Sequence, residues 1–290
     1  MINRRKEAAQ GFLYILPSLV LILVFSVVPI LMSLYFSFTK YNVLQPPQWT
    51  GLDNYIRLFR DPYVRASLKN TVVFTVITVP LRTAGSLVPA AVIAVLIHTK
   101  FGNIVKSSLF VPVIASAILV GTLWFTLLSP RGVVNSIIHA FGLPSVNWLG
   151  GKLTSMLSVC IVSVWKNVGY FLVIYFAGIM DIPRSLYEAA EVDGANAFQR
   201  FFKITLPGLS SVTFLVVTLG TIWSFQVFDL VYTMTGGGPG TSTVTLVLTT
   251  YNAAFKEYNM GYASAVAMLM FVFVLAVSGL QKLLLKGGED

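Results

Sequence analysis

The sequence predicts an all-α integral membrane protein of about six transmembrane helices, and three observations carry that prediction. Of its 290 residues, 56% are hydrophobic and 11% are charged, where soluble domains carry about 25% charged residues. The mean hydropathy is +0.79. Apolar runs of roughly 20 residues, enough to cross about 30 Å of hydrocarbon, recur along the chain between stretches rich in glycine, proline and charge. In lipid, a run of that length must bond its backbone internally, and a helix does so within one segment.

The first span runs from about Phe12 to Phe38 and holds Pro17 and Pro29. It follows Asn3-Arg4-Arg5-Lys6, as a secretory leader would, but it exceeds the roughly 7–15 residues of a leader core and ends without a small-x-small cleavage site. It therefore reads as an uncleaved helix. Thr39 to Asn70, with Pro46-Pro47, Trp49, Gly51 and Asp61-Pro62, reads as a loop with one short amphipathic helix. The second span, Thr71 to Ile97, and the third, Ser107 to Leu128, are joined by the short basic link His98 to Lys106, which makes them antiparallel neighbours. Ser129 to Leu153 carries turn chemistry (Pro130, Gly132, Asn135, Gly142, Pro144, Gly150, Gly151) rather than periodicity. The fourth span is Thr154 to Ile179, the most charged stretch is Met180 to Thr205, and the fifth span is Pro207 to Tyr232. The loop Thr233 to Met260, around Gly236-Gly237-Gly238-Pro239-Gly240, leads to a sixth span, Gly261 to Leu285.

The net charge of +9 is scattered, with no tract interleaving cations and aromatics, so nucleic acid is not a partner; the cations instead meet lipid headgroups and fix topology. Arg4, Arg5 and Lys6 at the first helix, supported by Lys282 and Lys286, place both termini in the cytoplasm, against the opposing Arg57, Arg60, Arg65 and Lys69. Cys160 is the one cysteine and His98 and His139 stand apart, so neither a disulfide nor a metal site is expected. Gly150-Gly151-Lys152-Leu153 lacks the spaced glycine and the hydroxyl residue of a phosphate-binding loop, so the chain is expected to bind no ATP itself; without paired carboxylates in a span, a Ser/His/Asp set or a Gly-x-Ser-x-Gly elbow, no catalysis is expected either. A self-sufficient secondary carrier would need an ionisable carboxylate at mid-membrane, and none is evident.

The connection between spans four and five is the most specific segment. Pro183 and Arg184 open a short helix, Gly194 can end it by turning left-handed, and a second helix runs to Pro207. Leu186, Ala189 and Ala190 give the first helix a small apolar face flanked by Glu188 and Glu191, which suits a groove on a partner protein or a bed of lipid headgroups. The spacing of Glu188-Ala189-Ala190, then Gly194, then Ile204-x-Leu206-Pro207 resembles the cytoplasmic signature of permease subunits of ABC importers. By that resemblance Tyr187, Glu188, Ala189, Ala190, Asp193, Gly194, Ile204, Leu206 and Pro207 belong to a coupling loop that docks into a cleft on an ATP-binding subunit.

The likeness extends over about Phe12 to Leu285 and is similar to the carbohydrate branch of these importers, of maltose, oligosaccharide and glycerol-phosphate type. It rests on Gly51-Leu52-Asp53-Asn54-Tyr55, Asn70-Thr71, Trp124, Gly132 and Asn135, on Phe225-Gln226-Val227-Phe228-Asp229 with Tyr232, Thr235 and Gly236 to Pro239, and on Gly261 to Ala265. The middle group resembles the first of two unlike permeases. The resemblance implies a type I ABC importer permease fold, with residues 1–70 as first helix and external loop and 71–285 as the permease core carrying the coupling loop 180–207. It also implies a multi-pass protein of the prokaryotic inner membrane, a second homologous permease, two ATP-binding subunits that hold ATP and magnesium, an extracytoplasmic solute-binding protein and a sugar substrate.

A sugar path needs hydrogen-bonding and aromatic side chains inside the spans. Thr71, Thr75, Thr78, Arg82 and Ser86 recur on one helical face, which can line a path or serve helix packing. Thr78 and Arg82 from this face, Asn167 and Tyr170 beside Lys166, and Trp223, Gln226 and Asp229 are the candidate path residues.

Overall fold

The computed structural model describes residues 4–95 and 100–285. The anticipated end of the second span at Ile97, His98 of the link and Lys286 lie outside the described residues. In chain order, α1 (Arg4–Ile22) passes through a π-helical turn (Leu23–Val27) into α2 (Val28–Ser37), followed by a two-stranded ribbon, β1 (Thr39–Lys40) and β2 (Gln48–Trp49), and by α3 (Asp53–Arg60). Next come α4 (Pro62–Val95), α5 (Lys100–Ile114), α6 (Ala117–Leu127), α7 (Val133–Ala140), α8 (Lys152–Asp181) and α9 (Arg184–Val192). Then α10 (Ala197–Arg200), a π-turn (Phe201–Thr205) and α11 (Leu206–Gly208) lead to α12 (Ser210–Phe225), α13 (Asp229–Met234), α14 (Leu246–Tyr251), a π-turn (Asn252–Lys256) and α15 (Met260–Leu285).

Four helical stretches are long and apolar enough to cross a bilayer unaided: Gly11–Ser37, Pro62–Val95, Lys152–Asp181 and Met260–Leu283. Two more arise if bent pairs count as single spans, Ile104–Ile114 with Ala117–Leu127 at 100° and Ala197–Gly208 with Ser210–Phe225 at 68°. The all-α, six-span class therefore stands, and five readings of element bounds are corrected. The third span, read as continuous from Ser107 to Leu128, breaks because Pro112 weakens the last turn of α5 and Ser116 is extended (ψ 138°). The fifth, read from Pro207 to Tyr232, ends at Phe225: Phe228 leaves helical geometry at φ −132°, and Thr245 Oγ1 donates to Val227 O at 3.1 Å to hold the turn open. The stretch Ser129 to Leu153, read as turns, contains α7, because buried Asn135 donates to the carbonyls of Ser129, Pro130 and Val146 and accepts from Val146 N at 3.0 Å, fixing both flanks with one amide. Likewise α14 and its π-turn occupy the reach read as loop from Thr233 to Met260, and α4 begins at Pro62, well before Thr71, since proline is favoured in a helix's first turn.

The chain forms two compact units, one of residues 1–61 and 250–271, the other of 62–249 and 272–290. In the first, α3 is fastened at both ends. Asn54 donates to the carbonyls of Ser37 and Thr39, both at 2.9 Å, Tyr55 Oη meets Ser37 Oγ at 2.8 Å, and Tyr262 Oη donates to Asp61 at 2.6 Å while the Arg57 guanidinium lies 4.2 Å from the Tyr262 ring centroid. In the second unit α4, α8 and α12 pack on one another and α5 packs on α8. Leu87, Ala90, Phe171, Leu172, Tyr175 and Leu209 fill the interior. Helices α5 and α8 touch backbone to side: a Cβ on Gly169 would stand 2.8 Å from the Leu109 carbonyl carbon and 3.0 Å from Phe110 Cα.

Candidate functional site

The connection from α8 to α12 is built so that its first helix is presented and its last helix is anchored. None of the residues of α9 is buried. Its end is closed by backbone alone: Gly194 takes φ +76°, its N–H donates to Glu191 O at 3.0 Å, and Ala195 N–H donates to Ala190 O at 2.8 Å. That is the paired-bond arrangement a left-handed glycine makes possible. Asn196 then starts α10 with a reciprocal cap, its side chain accepting from Gln199 N–H while the Gln199 side chain accepts from Asn196 N–H, both at 2.9 Å. An ion pair between Arg200 and Glu191 spans the bend between the two helices.

Anchoring falls to four apolar residues and one hydroxyl pair. Tyr187, Phe201, Ile204 and Leu206 pack against the core formed by Ile179, Ile182 and Leu209, and Tyr187 Oη meets Thr205 Oγ1 at 2.9 Å. Pro207 lies in the first turn of α11, just before the 68° bend into α12. What remains outward is Glu188, Ala189, Asp193 and Gly194 with Leu186 (51% exposed) and Val192 (89%). Ala190 is half-buried, and on the neighbouring turn the Phe198 and Phe202 rings meet tilted, with centroids 4.6 Å apart. Behind α9 lies a cavity of about 660 Å³, bounded by the ends of α4 and α8 at Val95 and Ile179 and by Glu188 and Arg200.

Among the residues singled out for the path, the structure joins Tyr170 and Trp223, with ring centroids 4.8 Å apart, and adds Phe171 at 5.3 Å from both. Asn167, one turn earlier on α8, donates to Ser163 O at 2.8 Å. Lys166 lies within electrostatic reach of the Asp229 carboxylate, which opens α13, and Gln226 caps α12 with its side chain exposed. Thr78 and Arg82 lie elsewhere, enclosed between α4, α8 and α12. Each hydroxyl of their stripe, Thr71, Thr75, Thr78 and Ser86, donates to the carbonyl four residues earlier, at 2.7–2.8 Å. Thr78 also meets Ser224 Oγ at 3.0 Å. Arg82 is 2% exposed; it donates to Gly220 O at 3.4 Å and Ser163 Oγ at 3.3 Å, its guanidinium carbon lies 5.5 Å from the Phe171 centroid, and its Nε has no partner among the described residues. It thus backs the aromatic cluster from inside.

Thr205, Phe171 and Ser224 escape sequence reading because nothing local marks them. The cap at Asn196 carried a signal, Asn-x-x-Gln at helix-start spacing. The glycine-rich turn Gly236 to Gly240, read as part of a loop, is tied throughout. Thr235 and Thr243 hydroxyls meet at 2.7 Å, Thr243 donates to Gly238 O at 2.8 Å, and Asn70 of α4 donates to Thr241 O at 2.6 Å and Val244 O at 3.0 Å.

Continuous spans, broken spans and one exposed, doubly capped connection define a polytopic membrane subunit rather than a channel of simple rods. Residues 63–287 match the family model described as binding-protein-dependent transport system inner membrane component. The probable ABC transporter permease protein YurN of Bacillus subtilis (strain 168) is 35% identical over 294 residues, covering 100% of each chain. The trehalose/maltose transport system permease protein MalF of Thermococcus litoralis is 34% identical over 276 residues, covering 93% of this chain and 92% of its own. The fold also superposes, with a TM-score of 0.86 and 23% identity over 98% of both chains, on a bacterial ABC transporter involved in the import of the acidic polysaccharide alginate. The chain belongs to the inner membrane component family of binding-protein-dependent transport systems, the permease subunits of ABC transporters.

Proposed function

We propose that this chain is one of two unlike permeases of an ATP-driven importer and forms half of the path for a sugar, oligosaccharide or sugar derivative. Both termini are cytoplasmic, and α9 with Glu188 to Gly194 seats in a cleft on one of two ATP-binding subunits, which hold ATP and magnesium. An extracytoplasmic solute-binding protein delivers the substrate to a path on which Asn167, Tyr170, Trp223, Gln226 and Asp229 offer an aromatic face and polar partners. Thr78 and Arg82 act on that path from behind the cluster, through Phe171 and α12. The observation that carries the reading is the construction of α9. No residue in it is buried, yet the Tyr187–Thr205 bond and the Arg200–Glu191 pair tie it to α10 and the π-turn that lead into α12, so a push on α9 reaches α12 with little slack. The sugar class rests on the relatives' names and on the Tyr170–Trp223 platform.

The test is affinity purification from the native host in mild detergent, followed by reconstitution with ATP inside the vesicles and a panel of labelled sugars outside. Co-recovery of an ATPase and a second multi-span subunit, with ATP-dependent sugar uptake, is the expected outcome. A chain that purifies alone and moves solute down an ion gradient without ATP would sink the proposal.

A further inference from the structure

Helix α3 stands outside the hydrophobic spans, and its two ends are fastened to the ends of two of them. At its start Asn54 and Tyr55 bond to Ser37, the last residue of the span Gly11–Ser37. At its end Asp61 and Arg57 hold Tyr262, the third residue of α15, whose span begins at Met260. These ties fix the depth of α3 at the level where those helices leave the hydrocarbon. Its inner face is satisfied by Leu58, 1% exposed. Its outer face is exposed: Leu52, Ile56 and Phe59 stand at 60%, 49% and 67%. At 3.6 residues per turn these three lie within about 60° of one another around the helix axis. The next sector carries Arg57 and Arg60, both exposed, and Trp49 (66% exposed) precedes the helix.

We propose that α3 is an in-plane membrane anchor, its Leu52–Ile56–Phe59 stripe inserted at the boundary between headgroups and acyl chains and Arg60 reaching anionic phospholipid headgroups. An apolar stripe beside cations, with tryptophan at the edge, is what an interfacial helix requires, and the bilayer is continuous with the spans that hold it. The occupant is therefore lipid, not the protein partners on the same side. With Asn54 and Tyr262 at either end, the anchor sets how deeply the ends of α2 and α15 sit.

The test uses the assembled importer with Cys160→Ser and, separately, Leu52→Cys, Ile56→Cys or Phe59→Cys, each carrying a nitroxide, in vesicles of phosphatidylethanolamine and phosphatidylglycerol. Power-saturation accessibility is read for oxygen and for a water-soluble nickel chelate. All three positions are expected to favour oxygen over the chelate, while Asp53→Cys favours the chelate, and adding the solute-binding protein should change neither. Chelate access at the three positions, which places the stripe in water, overturns the proposal. So does protection from both reagents, or a change on adding the solute-binding protein, which would make the stripe a protein interface. Because exposed positions tolerate cysteine, each label also reports whether the complex still assembles.

Discussion

Replacing Gly194 with alanine separates backbone geometry from surface contact. At φ +76° a left-handed backbone costs an L-residue with a Cβ about 1–2 kcal/mol. The added methyl itself meets nothing within 4 Å, so no clash adds to that figure. If the bonds from Gly194 and Ala195 to Glu191 and Ala190 hold α9 in its docking form, that penalty lowers the population of the form about 5- to 30-fold, at about 1.4 kcal/mol per tenfold. The assay is sugar uptake per ATP hydrolysed in proteoliposomes, with cross-linking of α9 to the ATPase as a second readout. Gly194→Asn should lose less than Gly194→Ala, because asparagine enters the left-handed region more readily. Full coupling in the alanine variant would refute the role of the left-handed closure. Equal loss in both variants would show that any side chain at this spot obstructs the partner, and the backbone argument would fall.

Tyr187→Phe removes the 2.9 Å bond to Thr205 and strands a hydroxyl in a residue 5% exposed. About 0.5–1.5 kcal/mol is lost, so coupling should fall roughly 2- to 10-fold with the complex still assembled; unchanged coupling would mean Tyr187 acts by packing alone. Arg82→Met should leave the melting temperature in detergent unchanged or raised. It removes a buried charge served by two long bonds, and Gly220 O keeps the Ser224 hydroxyl at 2.7 Å; a marked fall in melting temperature would reveal a strong partner for the guanidinium. Gly169→Ala should cost about 1–3 kcal/mol or more by forcing α5 from α8, read as a lower melting temperature and yield, since the new Cβ lands against the Leu109 and Phe110 backbone. Wild-type melting there would disprove the close approach.

How much could be read without coordinates depended on whether the signal was local. The closure at Gly194, the entry at Pro183 and the single face holding Thr71, Thr75, Thr78, Arg82 and Ser86 are properties of consecutive residues, and each is legible in the chain. What covers that face is not, because a 3.6-residue period marks a side of a helix without saying whether a pore or another helix lies against it. The bend at Ala115 and Ser116 was hard to read for a related reason: Pro112 weakens a turn without saying whether the span breaks there, and the contact of α6 with α13 lies over a hundred residues along the chain. α7 was hidden by flanks rich in glycine and proline, and the decisive residue, Asn135, acts on Val146 eleven positions away. The pairing of Tyr170 with Trp223 joins two helices more than fifty residues apart in sequence, which spacing alone does not encode.

The tethered turn around Gly236 to Gly240 has a practical corollary for anyone labelling this protein. Five glycine-and-proline residues in a row invite an epitope or a fluorophore insertion, yet here such an insertion would cut the threonine clasp and pull Asn70 away from Thr241 and Val244. The tip of the short ribbon at Leu44, 88% exposed and outside any helix, is the place where added sequence would disturb least.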